Sequence, residues 1–217
     1  MIDWLGPIVR EYYAMTELGI IACSTAPEWL AHPGSVGRAA PGVEIRITDE
    51  TGRILPAGEA GDICVRHAAT DAVYYHNAPE KTASLRRAGF VVTGDIGTLD
   101  GDGFLTISDR RTDMILSGGV NIYPAEIEAV LLAHPAVADT AVFGLPHPEF
   151  GEQVAAVVMA RAPLETEDLI GFLRERIAGY KVPRLVRFVD ALPREDSGKV
   201  RKRLLRDEWA AELAGEA

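Results

Sequence analysis

The stretch DRRTDMILSGGVNIYPAEIE, residues 109–128, is where the chain changes character. Upstream, residues 36–107 are short alternating runs separated by turn signals. In VEIRITDETGRIL, Val43, Ile45 and Ile47 share one strand face, Asp49 to Gly52 form a turn, and a return strand is expected. GEAGDICVRH adds a strand, and GTLDGDGFLTISDR reads as a hairpin turning at Asp100 to Gly103. Downstream, PAEIEAVLLAHPAV predicts a helix opened by Pro124, with Ile127, Val130 and Leu131 on one face. Strands are expected around residues 138–144 and 153–160, then a helix over TEDLIGFLRERIA with Thr166 as N-cap and acids in its first turn. A strand LVRFVDAL and a last amphipathic helix from about Arg201 complete the pattern. The expected class is α+β: residues 1–109 form a β-rich, barrel-like part and residues 110–217 a compact α+β domain.

Bulk properties narrow the function. The 217 residues are 47% hydrophobic and 25% charged, ordinary values for a globular protein with a real core. A net charge of −10 argues against unselective nucleic-acid binding, which calls for a basic footprint. Cys23 and Cys64 each stand alone in an apolar run without metal-ligand spacing, so free thiols in a reducing compartment are expected. No apolar run reaches the roughly 18 residues of a membrane helix, and MIDWLGPIVREYY lacks the layout of a signal peptide. A cytoplasmic protein is the expectation.

Four short motifs carry candidate chemistry. In YYAMTELG, residues 12–19, Thr16 and Glu17 fall where a strand gives way to a loop. A carboxylate beside a hydroxyl suits Mg²⁺ and a phosphate oxygen, and Tyr13 offers a ring for stacking on a planar base. Taken alone, the pair reads more readily as a helix N-cap followed by an acid. In TGDIG, residues 93–97, Asp95 at a strand end can accept from two ribose hydroxyls, although a plain turn is the simpler reading. In the opening stretch Gly118-Gly119 permits close backbone approach, and Arg110 presents a planar fork of donors. In PREDSGK, residues 193–199, Ser197-Gly198 reads as a tight turn that projects Lys199 ahead of the basic run KVRKRLLR. An ammonium there can offset charge developing on a phosphate and a carboxylate together; the simpler alternative is a solvated lysine. DGDG at residues 100–103 lacks the later ligands of a calcium loop.

In this order and spacing the motifs resemble those of the adenylate-forming acyl-CoA synthetase family, along nearly all of the chain. The region ILSGGVNIYPAEIEAVLLAHPAVADTAVFGLPHPEFGEQVAAVV looks most like the acyl-CoA ligase branch. The resemblance implies activation of a fatty or aromatic acid with Mg-ATP and transfer of the acyl group to coenzyme A. It implies that Tyr13 stacks on adenine, Thr16 contacts the α-phosphate, and Glu17 helps hold Mg²⁺. It assigns Asp95 to the ribose, Arg110 to ribose or phosphates, Lys199 to adenylation, and the Gly118-Gly119 loop to the pantetheine channel. Thr112 stands at the hinge position, where lysine or aspartate is usual, and Ala14 replaces a common glycine. The family's upstream phosphate loop, ending in Pro-Lys-Gly, has no counterpart in these residues. The expectation is therefore the C-terminal part of such a ligase, with a mobile lid domain, inactive without the N-terminal part that completes its acyl pocket. Two alternatives stay open: an adenylation module that loads a carrier protein, and a non-catalytic remnant that binds a nucleotide or a protein.

Overall fold

The computed structural model of the chain describes residues 2–68, 70, 73–74 and 76–215. It divides into two compact units, residues 1–111 and 112–217.

The first unit is built on one mixed-length sheet with strands β1 (Arg10–Met15), β2 (Gly19–Thr25), β3 (Ser35–Ala39), β4 (Glu44–Thr48), β5 (Gly61–Arg66), β6 (Arg86–Arg87), β7 (Phe90–Leu99) and β8 (Phe104–Arg110). Three short helices, α1 (Ile2–Leu5), α2 (Ala26–Ala31) and α3 (Pro79–Ser84), lie among them. The strand path runs β1-β2-β3-β8-β7-β5-β4, with β6 on β7. β1 and β4 end this path unpaired to each other among the described residues, so the barrel-like expectation resolves as an open sheet. The hairpin at Asp100 to Gly103 forms as expected, with the Asp100 carboxylate accepting the N–H of Asp102 and of Phe104. The return strand after Asp49 shrinks to a single bridge between Thr48 and Ile54. Pro56, two residues on, has no N–H to continue the ladder. Val43, Ile45 and Ile47 do share a face, packed on the core of Ile21, Ile63, Val65 and Leu105.

The second unit places β9 (Ile115–Ser117), β10 (Val120–Ile122), β11 (Val137–His147), β12 (Gly151–Ala160) and β13 (Leu185–Phe188) in one sheet. Helices α4 (Pro124–Leu132), α5 (Thr166–Arg174) and α6 (Lys202–Gly215) cover it. β11 and β12 read as nearly continuous apolar runs because both of their faces are covered. Val142, Val154, Ala156 and Val158 face the core shared with Ile127, Leu131, Leu169 and Leu173. Their neighbours Ala141, Phe143, Leu145, Ala155 and Val157 face Trp209 of α6. The period of two along each strand thus feeds two separate cores. Pro124 occupies the first turn of α4, as its fixed φ favours. The N-cap of α5 is Glu165, not Thr166; Glu165 has the extended backbone of a cap, and Thr166 is already helical. Two short strands, β9 and β10, flank Gly118-Gly119, forming a hairpin before the helix. No helix is long and apolar enough to cross a membrane among the described residues.

Candidate active site

β1 and β2 are joined by a turn at Thr16 to Leu18. Leu18 is buried and anchors it, while Thr16 and Glu17 are exposed on its outer side. A turn between strands, not a helix start, is therefore what carries the Thr-Glu pair. Just before it, the β1–β2 register shifts between Tyr13 and Ala14. Such a bulge re-aims side chains beside functional sites. Here the Tyr13 hydroxyl donates a 2.5 Å hydrogen bond to Oδ2 of Asp95 on β7. Asp95 pairs across the ladder with Arg110 of β8, whose Nε lies 3.5 Å from Oδ1. The Asp95 N–H donates to Oγ1 of Thr93 at 3.1 Å, which fixes the backbone of the TGD stretch; this stretch lies within β7, so the plain turn offered by the sequence does not form. Burial, reinforced by the hydrogen bond to Asp95, pushes the Tyr13 pKa above its ordinary value, so the phenol stays a donor. Three strands thus bring Tyr13, Asp95 and Arg110 together: an aromatic ring, an oriented carboxylate and a guanidinium. That set can stack on a base, accept from vicinal hydroxyls and meet an anionic oxygen.

The remaining expected residues belong to the second unit. α6 begins at Lys202, so Lys199 lies ahead of the helix on a turn. The turn is closed by backbone bonds from the Gly198 N–H to the Glu195 carbonyl at 2.8 Å and from the Glu195 N–H to the Lys199 carbonyl at 2.9 Å. Gly198 sits at φ +85°, a conformation that side chains resist. Arg194 donates to the Gly198 carbonyl and pairs with Asp139 on β11, tying the turn to the sheet. The motif alone gives Arg194 no role, although an arginine fork four residues before a turn glycine is well placed to cap its carbonyl. The Lys199 side chain is exposed, and no hydrogen bond or ion pair to its amine occurs among the described residues.

Gly118 and Gly119 form the tip of the β9–β10 hairpin, with φ of +57° and +81°. The Gly118 N–H donates to the Phe150 carbonyl at 2.9 Å, so bare backbone is presented at the tip and held from behind. A cavity of about 200 Å³ opens beside it, lined by Ile122, Phe150, Tyr180 and Arg184 among others. The Arg184 guanidinium stacks over the Phe150 ring at 4.3 Å. Thr112 is the first residue of the second unit, and its hydroxyl donates to its neighbour Asp113 at 3.3 Å. Among the described residues no group of three or more His, Cys, Asp or Glu side chains is arranged to hold a metal. Glu17 offers one hard oxygen donor, which fits Mg²⁺ shared with a nucleotide's phosphates better than an all-protein cage.

Known proteins share this sequence and fold. Residues 1–75 match the family model of AMP-binding enzymes, and residues 126–199 match that of the AMP-binding enzyme C-terminal domain. The chain is 37% identical over 213 residues to a long-chain-fatty-acid–CoA ligase of Escherichia coli O6:H1, covering 98% of this chain and 38% of that one. It is 43% identical over 204 residues to the 3-[(3aS,4S,7aS)-7a-methyl-1,5-dioxo-octahydro-1H-inden-4-yl]propanoyl:CoA ligase of Rhodococcus jostii, covering 92% and 38%. Among solved structures, the o-succinylbenzoate CoA synthetase of Bacillus subtilis in complex with its acyl-adenylate intermediate superposes with a TM-score of 0.86 at 35% identity, covering 95% of this chain and 42% of that one. ATP-bound MatB from Rhodopseudomonas palustris gives 0.84 at 40% identity, covering 93% and 41%. The chain spans 38% of the length of these two curated relatives. With motifs, fold and both family models in agreement, the chain belongs to the AMP-binding enzymes and includes their C-terminal domain.

Proposed function

We propose that this chain is part of an AMP-forming acyl-CoA ligase that joins a fatty or aromatic acid to coenzyme A. The observation that carries the proposal is the Lys199 amine, raised on a fixed turn ahead of α6 with no protein partner among the described residues. An unpaired ammonium on a rigid mount suits charge that appears only during reaction. In the first step a carboxylate oxygen attacks the α-phosphorus of ATP, the bond to the bridging oxygen breaks, and pyrophosphate leaves. Lys199 offsets the charge gathering on both groups. Tyr13, Asp95 and Arg110 hold the nucleoside, Tyr13 through its ring and Asp95 through the ribose hydroxyls, while Thr16 contacts the α-phosphate. Mg²⁺, held in part by Glu17, neutralises phosphate charge when bound.

In the second step the thiol of coenzyme A attacks the acyl carbon and AMP departs. Rotation of the second unit about Thr112 withdraws Lys199 and presents the Gly118-Gly119 tip to the pantetheine arm, so one small domain serves both steps. The cavity beside that tip supports this placement. So does the division of the chain directly before Thr112.

The first unit presents apolar side chains to solvent around β1, an end strand of its sheet: Trp4, Ile8, Tyr12, Ile20 and Leu30 are all more than half exposed. Surface of this kind marks an interface. Residues of an N-terminal part of the same enzyme, present in relatives of greater length, are its natural cover. ATP–pyrophosphate exchange with a panel of fatty and aromatic acids tests the proposal. The full-length protein carrying this chain is expected to exchange and, with coenzyme A, to form a thioester; residues 1–217 alone are expected to do neither. A full-length protein inert across the panel defeats the ligase reading. Exchange by the 217 residues alone defeats the claim that they build only part of the site.

A further inference from the structure

Asp62, on β5, has a fully buried side chain. Its Oδ2 accepts a 2.6 Å hydrogen bond from Arg87 of β6. Its Oδ1 receives no aligned hydrogen bond, but Nη1 of Arg111 stands 3.0 Å away as an ion pair. Arg87 also donates to Oγ1 of Thr48 and to the Asp49 carbonyl, each at 3.0 Å. Arg111 reaches a second carboxylate, Glu50, at 2.6 Å. One buried carboxylate thus holds two guanidiniums, and the second belongs to the last residue of the first unit. A buried ion pair adds little net stability compared with an apolar packing of the same volume, because desolvation offsets its attraction. It is far better at fixing position, since the buried carboxylate is fully matched only with both guanidiniums in place.

The backbone is fixed at the same point. The Arg111 N–H donates to the Gly94 carbonyl at 2.9 Å, extending the β7–β8 pairing one residue past Arg110. Gly94 lies between Thr93 and Asp95, so Arg111 is bonded directly to the stretch of β7 assigned to the ribose. At Thr112 these ties stop: its side-chain hydrogen bond goes to adjacent Asp113.

We propose that Asp62, steadied by Arg87, clamps Arg111 as the fixed end of the hinge, so that rotation of the second unit is confined to Thr112 and the residues after it. Arg111 is then a positioning residue, which neither touches substrate nor reacts. The proposal rests on the reading that the second unit rotates between two half-reactions. It adds a cause for where the pivot falls, and it compensates for the atypical Thr112: a small residue suffices at the pivot when the residue before it is immobilised by charge.

The test uses the full-length protein carrying this chain, with Arg111→Gln and Arg111→Lys. Arg111→Gln is chosen over a change at Asp62 because it leaves Asp62 paired with Arg87 and strands no buried charge. Amide hydrogen exchange, resolved at residue 111 by fragmentation mass spectrometry, is expected to quicken roughly tenfold in Arg111→Gln while thermal stability changes little. The ratio of adenylation to thioester formation from supplied acyl-adenylate is expected to shift about fivefold, with Arg111→Lys recovering part of both effects. Unchanged exchange and an unchanged ratio in Arg111→Gln overturn the clamp. Equal loss of both half-reactions together with a lowered melting temperature also overturns it, because that is the signature of a merely structural residue. If the unaltered full-length protein performs neither half-reaction, the ligase reading fails, and amide exchange at residue 111 decides the clamp alone.

Discussion

The Tyr13, Asp95 and Arg110 group of the first unit and the lysine turn of the second are held in opposite ways. Tyr13, Asp95 and Arg110 satisfy one another: hydroxyl to carboxylate, carboxylate to guanidinium, with Thr93 fixing the backbone beneath. Lys199 is fixed only through its backbone; its turn is closed by hydrogen bonds and tied to β11 by Arg194, yet its amine has no partner among the described residues. On the proposed roles, the difference follows from when each group acts. A site that binds a ground-state ribose gains from being organised beforehand. A cation meant for charge that exists only in the transition state must not be neutralised by its own protein.

The sharpest way to break this contrast is Lys199→Ala in the full-length protein. Loss of a preorganised charge at a developing anion is expected to lower adenylation by about 10²–10³-fold. Thioester formation from supplied acyl-adenylate is expected to stay within roughly twofold of the unaltered protein, since in the proposed mechanism the lysine serves only the first step. Both half-reactions are measured separately, by pyrophosphate exchange and by thioester release. Equal loss in both contradicts a role confined to adenylation.

A smaller effect tests whether the mount matters as well as the charge. Arg194→Gln keeps Lys199 but weakens the tie from the Gly198 carbonyl to Asp139. Arg194 and Asp139 are partly exposed, with side-chain accessibilities of 43% and 22%, so the pair is screened and contributes modestly. Adenylation is expected to fall about three- to tenfold, in line with roughly 0.5–1.5 kcal/mol for one lost hydrogen bond. Thioester formation should not move. An unaltered adenylation rate shows that the backbone bonds of the turn suffice, and Arg194 then drops out of the contrast.

What the sequence made legible is local. Pro124 with Ile127 and Leu131 marks α4, the Asp100 to Gly103 run marks a hairpin, and Ser197-Gly198 marks the turn under Lys199. Each is decided within a few residues by proline geometry, side-chain period or a glycine that accepts positive φ. The partners were not legible because they are distant. Tyr13 and Asp95 are 82 residues apart, and Arg87 and Asp62 are 25 apart, joined only by the order of strands in the sheet. The open path of that sheet is likewise a matter of which edges meet, and alternation along single strands carries no such information. Arg194 was within view of its turn, yet its partner Asp139 lies 55 residues upstream.

The smallest expected effect probes the satisfied side of the contrast. Tyr13→Phe keeps the ring and removes the hydroxyl that orients Asp95. With one neutral-to-charged hydrogen bond lost, KM for ATP in the full-length protein is expected to rise about three- to tenfold, with kcat little changed. The preference for ATP over 2′-deoxy-ATP should narrow, because a less constrained carboxylate reads the ribose hydroxyls less strictly. Stability supplies a second readout with a definite sign. The Tyr13 pKa is raised in the fold, chiefly by burial and then by the bond to Asp95. The folded state therefore holds that proton more tightly than the unfolded chain does. Its contribution is intact below the ordinary tyrosine pKa of about 10 and declines as pH rises above that value. Thermal melts across this alkaline range should fall less steeply for Tyr13→Phe than for the unaltered protein. Parallel slopes would mean that the hydroxyl is no more protected in the fold than in water, and the ordered half of the contrast would lose its anchor.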